Sequence, residues 1–542
     1  MLPSRYWPFV LVLLLTVLSA VAAALTPLAW WGLVVFGALS LVGLVDLLQR
    51  KQALRRNYPL SSHFRYGLES IGPEIRQYFI EPDTLETPFS RQQRAIVYQR
   101  AKDVLDKRPF GTQRDVYGDD YEWINHSLQP ARIDSHDFRI AVGEGRAQPY
   151  AASVFNISAM SFGSLSANAI RALNAGAKRG GFYHDTGEGS ISRYHREHGG
   201  DLVWEIGSGY FGCRDGEGRF DREAFKRNAL DPQVKMVELK LSQGAKPGQG
   251  GILPAAKVSA EIAEARGVPA GVECHSPAAH NAFSTPIGLL EFIDELRTLS
   301  GGKPTGFKLA VGHPWEWFAI AKAMRETGIT PDFIVVDGGE GGTGAAPLEF
   351  TDHVGAPMRE ALMLVHNTLV GLDLRSRVKV AAAGKIVTAF DIARAMALGA
   401  DWCNAARGFM FALGCIQSQS CHTDRCPTGI ATQDRSRQAA LDPGDKATRV
   451  YNFHRNTVVA LKELLAAAGL THPSQLGPEH IVRRVSSTEV RSLATLHRFV
   501  PQGRLLEGVP DHAVFQVFWD RARPDSFGAP PEAAAMMASK LR

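Results

Sequence analysis

Two unbroken apolar runs open the chain. Residues 9–25, "FVLVLLLTVLSAVAAAL", carry no charge, and after Thr26 and Pro27 residues 28–45, "LAWWGLVVFGALSLVGLV", carry none either. A bilayer core takes roughly 17–25 apolar residues per helix, so both runs reach the length of a membrane span. Pro27 suits a tight turn between two helices, and Trp30 and Trp31 suit the interface where lipid meets water. Arg5 precedes the first run and "QRKQALRR" follows the second. With no positive charge in the turn, this predicts a hairpin with both ends in the cytoplasm. "AVAAAL" also carries small residues of the cleavage type, so a signal peptide is the alternative. Even then the second run and its basic cluster would keep the rest of the chain cytoplasmic.

From about 55 to 147 the pattern is polar and mixed, with helical spacing in "RQQRAIVYQRAKDVLDK". After that it becomes regular. Short β-branched or apolar runs predict strands at 153–158, 181–185, 234–241, 270–274, 306–311, 332–337, 377–383 and 401–406. Helical periodicity falls between them at 167–179, 257–266, 286–299, 315–327, 358–371 and 389–398. Eight strands alternating with helices over about 260 residues is the size of a (β/α)8 TIM barrel, an α/β fold. A doubly wound open sheet is the alternative. The expected organisation is a transmembrane hairpin over 1–50, a linker and lead-in over 51–150, the barrel over 151–440, and a helical extension over 441–542.

Composition changes little. The chain has 542 residues, 45% hydrophobic and 21% charged, with 60 basic and 55 acidic side chains for a net charge of +5. That balance, without a basic and aromatic stripe, argues against nucleic acid as a partner. Six cysteines in so long a chain exclude a secreted disulfide scaffold.

A barrel predicts chemistry at the C-terminal ends of its strands, and the unusual residues fall there. Strand ends run into "AMSFGSLS", "DTGEGS", "KLSQGAKPGQGGILP", "DGGEGGTGAAP" and "AAAGK", and Lys308 lies within a strand. One glycine-rich loop alone is turn punctuation; glycine-rich loops at most strand ends are harder to dismiss. Gly339, Gly341 and Gly344 match G-x-G-x-x-G, but "AAP" after them opens no convincing helix, so the dinucleotide reading is weak. A glycine-lined pocket for a flavin phosphate fits better, with Gly384, Lys385, Arg407 and Gly408 in the last two strand-end loops, where barrels often hold phosphate. Three of the six cysteines, Cys415, Cys421 and Cys426, lie in "CIQSQSCHTDRC" with His422 among them. A disulfide, zinc, an iron–sulfur cluster and chance are all open on spacing alone.

From about 153 to 435 the chain resembles the FMN-binding synthase domain of glutamate synthase. The resemblance is carried by "AMSFGSLS", "GEG" at 187–189, "KLSQGAKPGQGGILPAAKV", "DGGEGGTGAAP" and "ALGCIQSQSCHTDRCPTGIATQ". The hairpin and the lead-in "NYPLSSHFRYGLESIGPEIRQYFIEPDT" resemble a stand-alone, membrane-anchored bacterial branch of that family. The resemblance implies a (β/α)8 barrel, bound FMN and a [3Fe–4S] cluster on Cys415, Cys421 and Cys426. Three thiolates suit that cluster. A zinc site usually takes four ligands, and His422 adjoins Cys421 too closely to chelate one ion easily. Cys213, Cys274 and Cys403 read as ordinary buried residues.

By the same resemblance the chemistry is hydride transfer from reduced FMN to 2-iminoglutarate, formed from 2-oxoglutarate and ammonia. Lys240, Lys246 and Arg266 match the family's active-site and substrate-carboxylate residues, and Glu188 its acidic residue near the flavin, with an acid–base or orienting role. Lys308 would stabilise charge at the N1–O2 edge of the flavin. Met160, Ser161 and Gln243 are expected against the ring, and Gly341, Gly342 and Thr343 in the phosphate loop.

Departures from the family pattern also matter. Met1 and Leu2 offer no N-terminal cysteine nucleophile and no region could house a glutaminase, so ammonia or another amine is the expected nitrogen source. "HSPAAHNAF" places His275 and His280 differently, Tyr210 replaces an arginine, and "AGK" replaces a double glycine. These put 2-oxoglutarate itself in doubt. A different imino or oxo acid, or a non-catalytic electron-relaying membrane partner, are the alternatives. Electrons are expected from an external donor: a ferredoxin, a reductase subunit or a membrane donor. The expected location is the inner membrane, with the catalytic domain facing the cytoplasm.

Overall fold

A computed structural model describes residues 3–85, 87–253 and 255–529. The last stretch of the expected helical extension, 530–542, lies outside the described residues. The chain divides after Arg91 into two compact units.

In the first unit the two apolar runs form helices α1 (Trp7–Ala23) and α2 (Ala29–Leu48). They run antiparallel through small and polar residues: Phe9 lies over Gly43, Ser19 faces Gly32, and Thr16 Oγ1 sits 2.8 Å from Ser40 Oγ. Small residues let helix backbones approach closely. Leu14, Val17, Leu18 and Val21 point outward and are exposed. Both helices are long and apolar enough to cross a membrane. Asp46, near the end of α2, is buried and accepts hydrogen bonds from the Leu60 N–H at 3.1 Å and from His63 Nε2 at 2.8 Å.

The second unit is built on a closed barrel of eight parallel strands. They are β1 (Phe155–Ile157), β2 (His184–Asp185), β3 (Leu202–Ile206), β4 (Val234–Lys240), β5 (Thr305–Leu309), β6 (Phe333–Asp337), β7 (Lys379–Ala383) and β8 (Trp402–Ala405). Each pairs with the next, and β8 closes on β1 through Cys403, Asn404 and Ala405. β3 and β5 are buried at every position, as strands covered on both faces must be. The outer layer includes α3 (Ala167–Gly180), α4 (Arg222–Ala229), α5 (Pro286–Leu299), α6 (Pro314–Thr327), α7 (Met358–Gly371) and α8 (Ala389–Ala397). Side-chain caps start several of them: Ser166 accepts from Ala169 N, Thr285 from Gly288 N, and Thr388 and Asp391 form a capping box. Such caps satisfy backbone donors that a helix start leaves free.

Two strand expectations change. Residues 270–274 are not a barrel strand. Only Cys274–His275 is extended, and it pairs antiparallel with Ile252–Leu253 inside the long excursion between β4 and β5. The barrel strand missed in sequence is β3, "LVWEI", whose buried Glu205 reads as a solvated charge until a partner is known. The helix expected from 257 begins at Ala260, capped by Ser259. In the tail, α9 (Pro443–Ala467) packs on α3. The tail is not all helix: Ile481–Arg484 and Val490–Ser492 join Glu122–Ile124 in a three-stranded sheet.

Candidate active site

The loops at the C-terminal ends of the strands interlock through their glycines. Ser161, beyond β1, accepts the Gly189 N–H on its Oγ at 3.1 Å. Gly187 turns at φ +66°, and a Cβ there would come within 2.6 Å of Ser161 N. Only glycine fits both demands, so "GEG" fixes where Glu188 emerges. Met160 is buried beside Ser161.

Glu188 meets the end of β4. Its Oε1 lies 3.2 Å from Lys240 Nζ, with the two side chains 16% and 10% exposed. Burial alone would raise the Glu188 carboxyl. Lys240, then Lys246 and Arg266, outweigh burial and hold it below the usual carboxylate range. Burial also lowers Lys246, partly offset by Glu188.

Arg266 ends the short helix Ala260–Arg266 and is 5% exposed. Its guanidinium lies 4.9 Å from the Phe211 ring centre, donates weakly to the Phe162 carbonyl at 3.4 Å, and has Nη1 at 3.8 Å from Cys274 Sγ. Its Nε is buried without a partner, and among the described residues no carboxylate forms an ion pair with it. A buried cation so poorly matched is suited to an anionic ligand.

Tyr210 and His280, both expected from the sequence to depart from the family pattern, meet here. His280 Nε2 donates to the Lys240 carbonyl at 2.8 Å, so its Nδ1 accepts from the Tyr210 hydroxyl at 3.0 Å. The Ala282 N–H donates in turn to the Tyr210 oxygen at 3.2 Å. Burial drives His280 down to about 4, so the ring is neutral at neutral pH, as this bonding requires. Their shared role was hidden in sequence. The available signal was that two departures, far apart in the chain, fell on loops bound for the same mouth.

On the far side, the loops after β4 and β6 touch backbone to backbone. The Gly244 N–H donates to Asp337 Oδ2 at 3.0 Å, and a Cβ on Gly244 would collide with the Gly338 carbonyl. Arg407 Nη2 donates to the Thr343 carbonyl at 2.6 Å, and a Cβ on Gly342 would press on the same guanidinium. Gly384, with Glu340 and Met358 close by, and Lys385, at φ +51°, follow β7. Gly408 approaches the Ile386 carbonyl. Gly342, Thr343 and Arg407 are thus in direct contact, while Gly384, Lys385 and Gly408 line neighbouring strand ends. Gly341 faces Asp337 and the Gly244 backbone, and Gln243 is half-buried in the β4 loop. Such glycine-lined backbone is suited to a flat ring and its phosphate.

Lys308 lies inside the barrel on β5. It forms an ion pair with Glu205 and sits 3.7 Å from Glu238 Oε1. Burial opposes its charge, but Glu205, Glu238 and Asp185 outweigh burial and hold the ammonium well above an ordinary lysine.

The cysteine loop adjoins this mouth. Gln433 donates to the carbonyls of Gly163 and Leu165, each at 3.0 Å, and the Ser166 N–H donates to the Ile430 carbonyl at 2.8 Å. Cys426 is buried, yet the Thr428 hydroxyl and the N–H groups of Ala431, Thr428 and Ile430 pull its thiol below the usual range. Burial raises Cys415 to about 11, with the Cys421 and Cys426 thiols adding to the effect. The Gln417 N–H points at Cys415 Sγ at 3.5 Å, and Lys257 Nζ donates to the Cys421 carbonyl at 3.2 Å. The Cys421 and Cys426 thiols are near enough to Cys415 to act on it, so the three sulfurs share one neighbourhood. Cys213, Cys274 and Cys403 are buried free thiols.

A family model described as the conserved region in glutamate synthase matches residues 122–471. The chain belongs to the glutamate synthase family. A glutamate synthase large subunit-like protein of Bacillus subtilis, YerD, is 38% identical over 497 residues, covering 84% of this chain and 94% of the relative. An archaeal glutamate synthase [NADPH] of Methanocaldococcus jannaschii is 36% identical over 315 residues, 58% of each chain. Among solved structures, a flavocytochrome b2 double mutant with pyruvate bound aligns over 83% of this chain and 91% of that one, at 13% identity and a TM-score of 0.40. The part of the chain that matches the glutamate synthase model therefore includes the whole barrel, the Glu188–Lys240 pair and the cysteine loop.

Proposed function

We propose that this protein is a membrane-anchored oxidoreductase, dependent on FMN and a [3Fe–4S] cluster, that reduces a 2-imino acid to an amino acid. The substrate favoured is 2-iminoglutarate, from 2-oxoglutarate and ammonia, giving L-glutamate. The observation that carries this reading is Arg266, a buried guanidinium without a carboxylate partner, whose charge acts on Glu188 beside Lys240. FMN, once reduced, supplies the hydride.

The chain's own residues do the rest. Arg266 binds a substrate carboxylate, and Lys246 offers a second cation to a dianion. Reduction of a C=N bond needs a proton at nitrogen for each hydride at carbon. Glu188 is held ionised, so the proton of the pair resides on Lys240 Nζ. Lys240 is therefore the donor, and Glu188 orients it. Met160, Ser161 and Gln243 would hold the flavin ring. Gly341, Gly342, Thr343, Gly384, Lys385, Arg407 and Gly408 would hold its phosphate side. Cys415, Cys421 and Cys426 would bind the cluster, fed by an external donor, whether a ferredoxin, a reductase subunit or a membrane donor. The apolar hairpin supports a site at the cytoplasmic face of a membrane. The Tyr210–His280 pair favours a second reading, in which the same chemistry acts on a different 2-oxo acid.

The test uses full-length protein in detergent, with flavin and iron counted. The protein is reduced without oxygen and mixed with 2-oxoglutarate and ammonia. Reoxidation with glutamate formed supports the first reading. Reoxidation by another 2-oxo acid alone supports the second. Folded protein with flavin and iron that no 2-oxo acid reoxidises would replace both with an electron-relaying membrane partner.

A further inference from the structure

Three carboxylates meet inside the barrel near the C-terminal ends of its strands. Asp185 of β2, Glu205 of β3 and Glu238 of β4 each place an oxygen within 4.8 Å of the others, and each is 1% exposed. One ammonium, Lys308, stands among them, paired with Glu205. Glu238 Oε1 is buried and has no hydrogen-bond donor among the described residues.

Among the described residues the surrounding strands add no second unpaired cation. β6 adds the Asp337 carboxylate, whose Oδ2 takes the Gly244 N–H. β1 and β8 bring Asn156 and Asn404, with Tyr183 donating to Asn404 Oδ1 at 2.6 Å. β7 brings Ala381, Ala382 and Ala383. Lys240, two residues beyond Glu238 on the same face of β4, is engaged by Glu188. Among the described residues one ammonium, Lys308, is paired within the set of three carboxylates, with a fourth beside them and Lys240 acting on Asp185 and Asp337 from farther away. Full ionisation of such a set is strongly opposed by desolvation and mutual repulsion.

We infer that Asp185, Glu205 and Glu238 share one exchangeable proton around Lys308 at neutral pH, and that this cluster takes up protons when negative charge arrives at the mouth. Burial first, then the neighbouring carboxylates, raises both Asp185 and Glu238, in keeping with a retained proton. The second half rests on the proposed function, since reduction of a bound flavin is what would add the charge. The incoming proton is drawn from solvent and balances that charge. The first half stands without a cofactor. Glu205 and Glu238 act here as positioning residues: they set the charge that Lys308 presents.

Infrared difference spectroscopy on the full chain tests this. At pH 7 a protonated-carboxyl C=O band that shifts in D2O is expected, with or without flavin. It should be lost or displaced in Glu238→Gln and in Asp185→Asn, each checked for folding by circular dichroism. An identical spectrum in both folded variants, or no such band in the wild type, overturns the store. An indicator dye during anaerobic reduction reads the coupling. Fewer protons taken up per electron pair by Glu238→Gln than by wild type supports it, and equal uptake overturns it. A protein that binds no flavin defeats the proposed function but leaves the infrared result decisive for the store.

Discussion

The Tyr210 hydroxyl and His280 Nδ1 are 3.0 Å apart, and the same imidazole holds the Lys240 carbonyl at 2.8 Å. The two residues form one hydrogen-bonded unit that braces the strand end bearing Lys240. Tyr210→Phe leaves a buried imidazole nitrogen and the Ala282 N–H without their partner. An unmade buried hydrogen bond costs about 1–3 kcal/mol, so we expect lower thermal stability and altered relative kcat/KM among 2-oxo acids. Comparing 2-oxoglutarate with shorter and apolar 2-oxo acids, wild type against variant, measures this. Unchanged ratios would separate the pair from specificity.

Arg266 should read out as binding. Its guanidinium has no carboxylate to satisfy it among the described residues. Loss of a hydrogen bond to a charged group costs about 1.5–3 kcal/mol. Arg266→Met should therefore raise KM for a dicarboxylic 2-oxo acid by roughly 10- to 150-fold. Flavin content should be unchanged. A variant that loses flavin while keeping its KM would assign Arg266 to the cofactor instead.

On the proposed reading, Cys426 separates cluster binding from flavin binding. Its thiol is held low by three backbone N–H groups and the Thr428 hydroxyl, which favours the thiolate that a cluster binds. Cys426→Ser should drop iron per protein at least tenfold and abolish the three-iron EPR signal, while flavin absorption persists. Full iron content in the variant would remove Cys426 from the ligand set.

The sequence discloses what is periodic or glycine-bound. Helices α5 and α7 begin and end as their spacing predicts, because Pro286 and Thr285 mark one start and both helices carry long apolar faces. The likeness of "GEG" and "KLSQGAK" to the family's motifs points to Glu188 and Lys240, and the structure pairs the two side chains. What is hidden is what depends on a distant partner. Glu205 looks like a surface charge in "LVWEI" until Lys308, 103 residues later, is seen to pair with it. The clue was the span from 185 to 234, too long for one crossover between neighbouring strands. The run at 270–274 failed for the opposite reason: its apolar residues serve a side hairpin, and periodicity does not say which sheet a strand joins.

The stability of the protein should fall in mild acid, and His184 lets that slope be measured one proton at a time. His184 on β2 is fully buried, neither ring nitrogen has a partner among the described residues, and burial pushes it down to about 3. His195, its ring centre 5.1 Å away, is also lowered by burial and has Nε2 unpartnered. An unfolded chain protonates these rings near pH 6.5. Between that pH and the folded value the unfolded state therefore binds more protons. The stability contributed by the neutral rings is complete above pH 6.5 and is lost as pH falls toward 3. Each such proton contributes about 1.4 kcal/mol per pH unit. His280, His366 and His454, at about 4, 4 and 3, add in the same direction. Asp185, raised to about 8, acts the other way, gaining stability as pH falls from 8 toward 4, and Glu238 and Asp337, also raised by burial, add to it in that direction. Because these contributions overlap, the wild-type curve alone does not assign them. His184→Leu removes one, together with the smaller part that His184 plays in lowering His195, and leaves His280, His366 and His454 in place. Its unfolding free energy, by urea titration at pH 6, 5 and 4, should fall less steeply than wild type by about one proton's worth. At pH 7.5 it should be equal or slightly higher, since two unsatisfied polar atoms leave the core. Parallel curves across that range would mean that water reaches His184 and that its folded and unfolded forms titrate alike.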